Sequence, residues 1–264
     1  MPNSKVWAAL NGIDMAHAER FHYADDFEAP HPVKLNRLAD LARAEAGADD
    51  LFLFLDGDAF PIAPIGPELL GGYPLAAMRR DENMGAPQPH PAFCLVPVDV
   101  WFDIEGDWRQ GYSWIASNGV ETTDGGGNLL GVLRAREIEW RPLLRSNRWD
   151  LDPLWFGVYA DVVYHHGAGF RPPLSMIANL GGTRAVRDAV GAAKIPESVP
   201  LFGRLERSLR YRIARRRADR SIEEYVEQSQ DLSDEVFAWI EHEPDFYRRF
   251  TDPENYRVPA GGTA

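Results

Sequence analysis

Cysteine is almost missing from this chain. Cys94 stands alone among 264 residues, which excludes an intramolecular disulfide and a Cys-rich zinc site. Its setting, FCLVPV, is apolar, so it reads as a small buried hydrophobe and not as a nucleophile. Lysine is scarce as well, limited to Lys5, Lys34 and Lys194. Acids outnumber bases, 40 Asp+Glu against 28 Lys+Arg, and the formal net charge is −12. That balance argues against general nucleic-acid binding. No segment approaches the roughly 18 to 20 apolar residues of a membrane span, and the first residues lack the apolar core of a secretion signal. These absences lead to the expectation of a cytoplasmic protein, with the inner face of a membrane as its only membrane contact.

What remains is ordinary in bulk: 45% hydrophobic and 26% charged residues, enough for one large domain or a domain with an appendage. The informative stretch is Asp49 to Ile62, DDLFLFLDGDAFPI. Leu51, Phe52, Leu53, Phe54 and Leu55 form a continuous apolar run, the pattern of a strand buried on both faces. The run ends in Asp56-Gly57-Asp58, so two carboxylates sit at the carboxyl end of the strand, where open α/β sheets keep their ligands. Two acids one residue apart repel each other unless a positive group lies between them, and a hard divalent cation is the usual solution. A solvated Asx-turn is the plain alternative.

Around this strand the pattern suggests an α/β fold. Residues 5–10 read as a strand. Pro32 to Ala46 carries Val33, Leu35, Leu38, Leu41 and Ala42 at helical spacing, with Pro32 near the start and Gly47 as a stop. Strand, helix and strand in this order suggest a parallel βαβ unit. Pro74 to Met78 and Ala92 to Val98 read as further strands, and Asn128 to Arg136 as a helix. Trp114, Trp149 and Trp155 are candidates to stack on sugar rings, against a simple role in the core.

Later segments carry further candidates. Thr122-Thr123-Asp124 precedes three glycines and a helix, so Asp124 reads as an N-cap, a general base or a sugar-binding carboxylate. His165-His166 precede Gly167-Ala168-Gly169 after an aromatic-rich stretch. Adjacent strand residues face opposite sides, so one of the pair is expected to reach a metal. His166 is the first choice because the following glycines permit close backbone approach to a phosphate; His165 is the competitor. Arg79 to Asn83 form a polar loop. Residues 201–220 hold eight arginines and two acids, with Leu201, Phe202, Leu205, Leu209 and Ile213 as an apolar stripe. They read as a basic amphipathic helix, either solvated and paired to acids elsewhere or resting on an anionic membrane surface.

FLFLDGDAFPI resembles the DxD strand of GT-A-fold glycosyltransferases, enzymes that move a sugar from a nucleotide-sugar donor. Three other stretches agree in order and spacing. HPVKLNRLADL (His31 to Leu41) resembles the donor-side helix before that strand. HPAFCLVP (His90 to Pro97) resembles the strand after it, and VVYHHGAGFR (Val162 to Arg171) the late segment whose His completes the metal site. The resemblance covers about residues 5–172 and implies a GT-A-like, Rossmann-type mixed sheet flanked by helices over residues 1–180, with its nucleotide-binding start shortened. A helical C-terminal region over 181–264 would follow. It implies Mn²⁺ or Mg²⁺ on Asp58, Asp56 and one of His166 or His165. It further implies donor contacts from Asp56, Lys34, Arg79 and Arg171, and Asp124 on the acceptor side. The partners so implied are a nucleotide-sugar and a glycan, lipid-linked or small-molecule acceptor. Two other readings of the same DxD are a non-catalytic nucleotide- or carbohydrate-binding protein and an aspartyl phosphohydrolase. The latter usually has Thr or Val where this chain has Phe60.

Overall fold

The computed structural model describes residues 29–146 except 48, 82–84 and 118, then 157–166, and 231–255 except 232, 233, 237 and 244. The expected strand at 5–10, Trp149, Trp155, Arg171 and the basic segment 201–220 lie outside the described residues.

Helix α1 spans His31–Arg43 and buries Leu35 and Ala39. It leads to strand β1, Leu51–Leu55, and, after the DGD turn, to the short strand β2, Ala59–Pro61. Strand β3, Ala76–Met78, is fully buried. Strand β4, His90–Pro97, is the longest among the described residues and runs directly into α2, Val98–Asp103. A small hairpin follows, β5 (Trp114–Ile115) and β6 (Glu121–Thr122). Helix α3 is Gly127–Ala135. Three more strands are β7 (Arg141–Leu143), β8 (Gly157–Tyr159) and β9 (Val163–His165). Near the C-terminus, α4 spans Arg248–Thr251.

The main sheet has the order β1-β4-β3-β7. It is mixed: β1/β4 and β3/β4 are antiparallel and β3/β7 parallel. The molecule is therefore an α/β protein with a mixed sheet. Side chains alternate across this sheet as a period of two requires. Phe54, Ala77, Cys94 and Val96 face a cluster containing Leu35, Trp101, Trp108 and Leu129. Ala76, Met78, Phe93 and Leu95 face a second cluster with Tyr159 and Val163. Both faces are thus covered, yet in β1 only Phe54 is buried and its neighbours are half-buried. The reason is position: among the described residues β1 is the edge of its sheet, with β4 as its one partner.

A second sheet, β2-β9-β8, is wholly antiparallel. Its Phe60 and Tyr164 meet the C-terminal segment, Tyr164 stacking on Phe250 with ring centroids 4.5 Å apart and Phe60 meeting Phe246 edge-on at 6.0 Å. Cys94 is fully buried, which pushes its thiol pKa far up, in keeping with an inert core residue. Trp114 is buried against Ala86 and Leu130, so it packs the core and is not a sugar platform. Among the described residues no helix is long and apolar enough to cross a membrane.

Candidate metal centre

The DGD turn joins the two sheets. Asp56 closes β1, its N–H bonded to the Ala92 carbonyl at 3.1 Å. Its own carbonyl accepts the Ala59 N–H at 3.0 Å, a tight turn that starts β2 immediately after Asp58. Strand β2 pairs with β9 in a register that sets Ala59 against His165. The next rung is the His166 N–H donating to the Asp58 carbonyl at 2.8 Å. Backbone pairing thereby brings a late strand alongside the carboxylates.

Ligating atoms of Asp56, Asp58 and His165 all lie within 4.8 Å of one another. His165 Nε2 is 3.5 Å from Asp58 Oδ1, with the histidine almost fully buried. That gap is long for a hydrogen bond. It matches the roughly 3.0–3.5 Å that two donors keep when they share one ion at bonds of about 2.1 Å. Two carboxylates and an imidazole at this spacing could hold a divalent cation. Burial would raise the Asp58 pKa, but the nearby His165 ring outweighs it and holds the carboxyl below its usual range.

His166 is not among the residues of this group. Its Nδ1 meets the Tyr164 hydroxyl at 2.7 Å in a buried pair. Burial pushes its pKa down to about 4, against the pull of Asp58, so the ring is neutral near pH 7. The expected choice between the two histidines therefore rests on the ladder: the structure brings His165 to the carboxylates and gives His166 to Tyr164.

Two histidines that the sequence did not single out as site residues complete the surroundings. His31 Nε2, from the first residue of α1, lies 2.9 Å from Asp56 Oδ1. That close contact raises the His31 pKa against burial, with Lys34, three residues on along the same helix, working the other way. His90, the first residue of β4, has its ring centroid 5.7 Å from that of His165. Its Nδ1 accepts the Ala92 N–H at 3.2 Å, so in the neutral ring the proton is on Nε2. Burial, then the positive neighbours Arg80, His165 and His31, hold its pKa well down. Both histidines precede a proline, His31-Pro32 and His90-Pro91, each at the head of an element. That repeated dipeptide was the available signal, but only the fold shows that the two heads converge.

The remaining candidates divide. Arg79 is engaged by Asp81 through two hydrogen bonds, 2.7 and 2.9 Å, while its neighbour Arg80 is the guanidinium that acts on His90. Asp124 does not cap α3. The N-cap is Gly126, in the left-handed region at φ +86°, and no side chain caps the helix. Asp124 is half-buried, its Oδ1 accepting the Gly125 N–H at 2.8 Å and its carbonyl the Gly127 N–H at 2.9 Å. The loop it opens rests on the prolines that flank His90: Gly126 abuts the Pro89 carbonyl, and a Cβ at Gly125 would meet Pro91 at 3.6 Å. The loop after Asp124 therefore packs against both chain neighbours of His90.

An open cavity of about 600 Å³ lies elsewhere, lined by Asn36, Asp107, Arg109, Tyr112 and Asn128 among others. Its central carboxylate, Asp107, is already taken by Asn36, Asn128 and Arg109, which marks a structural joint. Compared with protein-family models, curated proteins and solved structures, the chain matches none.

Proposed function

We propose that the protein is a metal-dependent glycosyltransferase acting on a nucleoside-diphosphate sugar, with Mn²⁺ or Mg²⁺ as its cofactor. The observation that carries this reading is the meeting of Asp56, Asp58 and His165 at the end of β1, with donor atoms within 4.8 Å. The ordered resemblance of DGD, HPAFCLVP and VVYHHGAGFR to GT-A-fold transferases supports it from the sequence. A divalent cation bound there would offset the charge that develops on a departing diphosphate.

The chain's own residues have separable tasks in this scheme. Asp56, Asp58 and His165 hold the ion. His90 Nε2–H, Arg80 and Lys34 supply the positive side that a diphosphate needs. Asp124, on the loop packed against Pro89 and Pro91, takes the proton of the acceptor hydroxyl as general base. Its carboxylate keeps Oδ2 for that task while Oδ1 holds the Gly125 N–H.

Thermal unfolding with and without a nucleoside diphosphate tests the reading. The diphosphate should raise the unfolding temperature only when Mn²⁺ or Mg²⁺ is present, and Asp58→Ala should abolish that rise. A rise without metal, or one that survives Asp58→Ala, overturns the metal role. Release of nucleoside diphosphate from a panel of nucleotide-sugars then tests turnover; binding with no release for any plausible acceptor identifies a binding protein instead.

A further inference from the structure

The geometry points to a site for a neutral saccharide in the open cavity lined by α1, α2, α3 and the loop after α2. The site lies outside the group Asp56, Asp58 and His165. It needs neither the ion nor a nucleotide, so it goes beyond the function proposed above.

The cavity, about 600 Å³, is within the roughly 300–1,000 Å³ of small-molecule sites. What it can hold follows from how its charges are paired. Arg109 is the one cation among its lining residues. Its guanidinium is closed on Asp107, with Nε at 2.9 and 3.0 Å and one terminal nitrogen at 2.9 Å. Glu105 has Arg136 at 3.5 Å. The lining carboxylate left without a partner among the described residues is Asp40, exposed on α1. A phosphate therefore meets no unmatched cation here. Among the described residues the one group able to hold a metal ion is Asp56, Asp58 and His165. An apolar ligand would cover the Asp40 carboxylate and leave it without water or partner, which is costly.

An uncharged ligand rich in hydroxyls meets none of these penalties. Arg109 keeps its second terminal nitrogen as a donor. Asn128 gives an amide N–H to Asp107 and keeps Oδ1 as an acceptor. Asp40 accepts at two oxygens. Flat, two-pronged donors and acceptors of this kind match the adjacent hydroxyls of a sugar ring.

Tyr112 adds an apolar wall. Its ring is 38% exposed yet firmly held. The Tyr112 carbonyl accepts the Thr123 hydroxyl at 3.0 Å, and the Tyr112 hydroxyl accepts from Arg134 at 3.0 Å. Its side chain packs on α3 at Gly131, where a Cβ would meet it at 3.0 Å. The π face of such a ring is negative and the C–H groups of a sugar face are slightly positive, so the two attract. Side chains fixed before the ligand arrives lose little entropy on binding.

Saturation-transfer NMR in EDTA with maltose, cellobiose, lactose and diacetylchitobiose tests this without reference to turnover. At least one should bind the wild type, and Asp58→Ala should bind it equally well. Asp40→Ala should weaken that binding about tenfold, the order of a hydrogen bond to a charged group. Tyr112→Ala should weaken it about two- to tenfold, the worth of an aromatic contact. Asp40→Ala removes an exposed side chain and should keep the wild-type urea midpoint, so its loss of binding is not a loss of fold. Binding of none of the four sugars overturns the inference. Wild-type affinity in both Asp40→Ala and Tyr112→Ala also overturns it, because the sugar then sits elsewhere. Loss of binding in Asp58→Ala overturns it by assigning the sugar to the ion centre. Binding of spermidine in preference to every sugar overturns the neutral class. The metal reading stands or falls separately, because every measurement is made without metal.

Discussion

Asp107 shows how much one carboxylate can organise when its hydrogen bonds are complete. It accepts from Asn36 Nδ2 at 2.7 Å, from Asn128 Nδ2 at 2.8 Å and from Arg109 Nε at 2.9 and 3.0 Å. The Arg109 backbone N–H adds a further bond at 2.9 Å. Burial would raise its pKa, but these donors together hold it far below the usual carboxylate range. Asn36 lies on α1 and Asn128 on α3, so the carboxylate ties two helices to one loop. Asp107→Ala should therefore cost about 1 kcal/mol, the order of a net hydrogen bond, because its Asn donors are part-buried and Arg109 is exposed; a lower urea midpoint would measure it. The pH dependence has a definite sign. A carboxyl whose folded pKa is depressed contributes stability above its unfolded pKa, near 4, and loses it as pH falls toward the folded value. Wild type should lose stability below about pH 4 more steeply than Asp107→Ala; equal acid limbs would show that Asp107 is not the group responsible. None of this was legible in the sequence, where EGDWRQG is one more polar loop. A hydrogen-bond hub exists only once residues 71 and 21 positions away are folded against it.

Elements were far easier to read than their partners. The apolar run 51–55, the helical spacing after Pro32 and the apolar stretch before Pro97 correspond to β1, α1 and β4, because periodicity is a local property. Pairing is not local. The parallel β3/β7 neighbours and the β2/β9 ladder join segments some 65 to 105 residues apart, and no pattern within either strand specifies the other. This is why the carboxylates could be proposed from sequence while the choice between His165 and His166 stayed open. The start of α3 is a second case. Three consecutive glycines after Asp124 suggested a side-chain cap, but the backbone itself makes the helix start, with Gly126 at φ +86° and its α-carbon pressed toward the Pro89 carbonyl. A Cβ there is excluded twice, by the positive φ and by a backbone oxygen that cannot retreat. Gly126→Ala should accordingly destabilise by more than about 2 kcal/mol, read by thermal or chemical unfolding. A neutral result would mean that the 124–126 loop relaxes away from Pro89, which would also loosen the proposed position of Asp124.

At the scale of the whole molecule the C-terminal segment packs behind the strand that carries His165. Val236, Trp239, Ile240, Phe246 and Phe250 are buried. Phe250 and Phe246 close over Tyr164 and Phe60, residues of the same two strands, β9 and β2, whose ladder sets His165 beside Asp58. At most two residues along either strand thus separate the aromatic seam from the candidate ion site. Strands of three residues are too short to hold a sheet by their own hydrogen bonds; a covered apolar face is what makes such a sheet stable. Removing residues 231–264 would expose that face. The truncated chain should bind a hydrophobic dye and unfold at a lower temperature, and its Mn²⁺ affinity should fall even though Asp56, Asp58 and His165 are untouched. Phe250→Ala is the milder form, with an expected cost of about 3 kcal/mol from the lost ring and its cavity and the same direction of change in Mn²⁺ binding. Should the truncation lower stability but leave Mn²⁺ affinity at the wild-type value, the β2/β9 ladder holds its register without the seam. The histidine would then owe its place to the DGD turn alone.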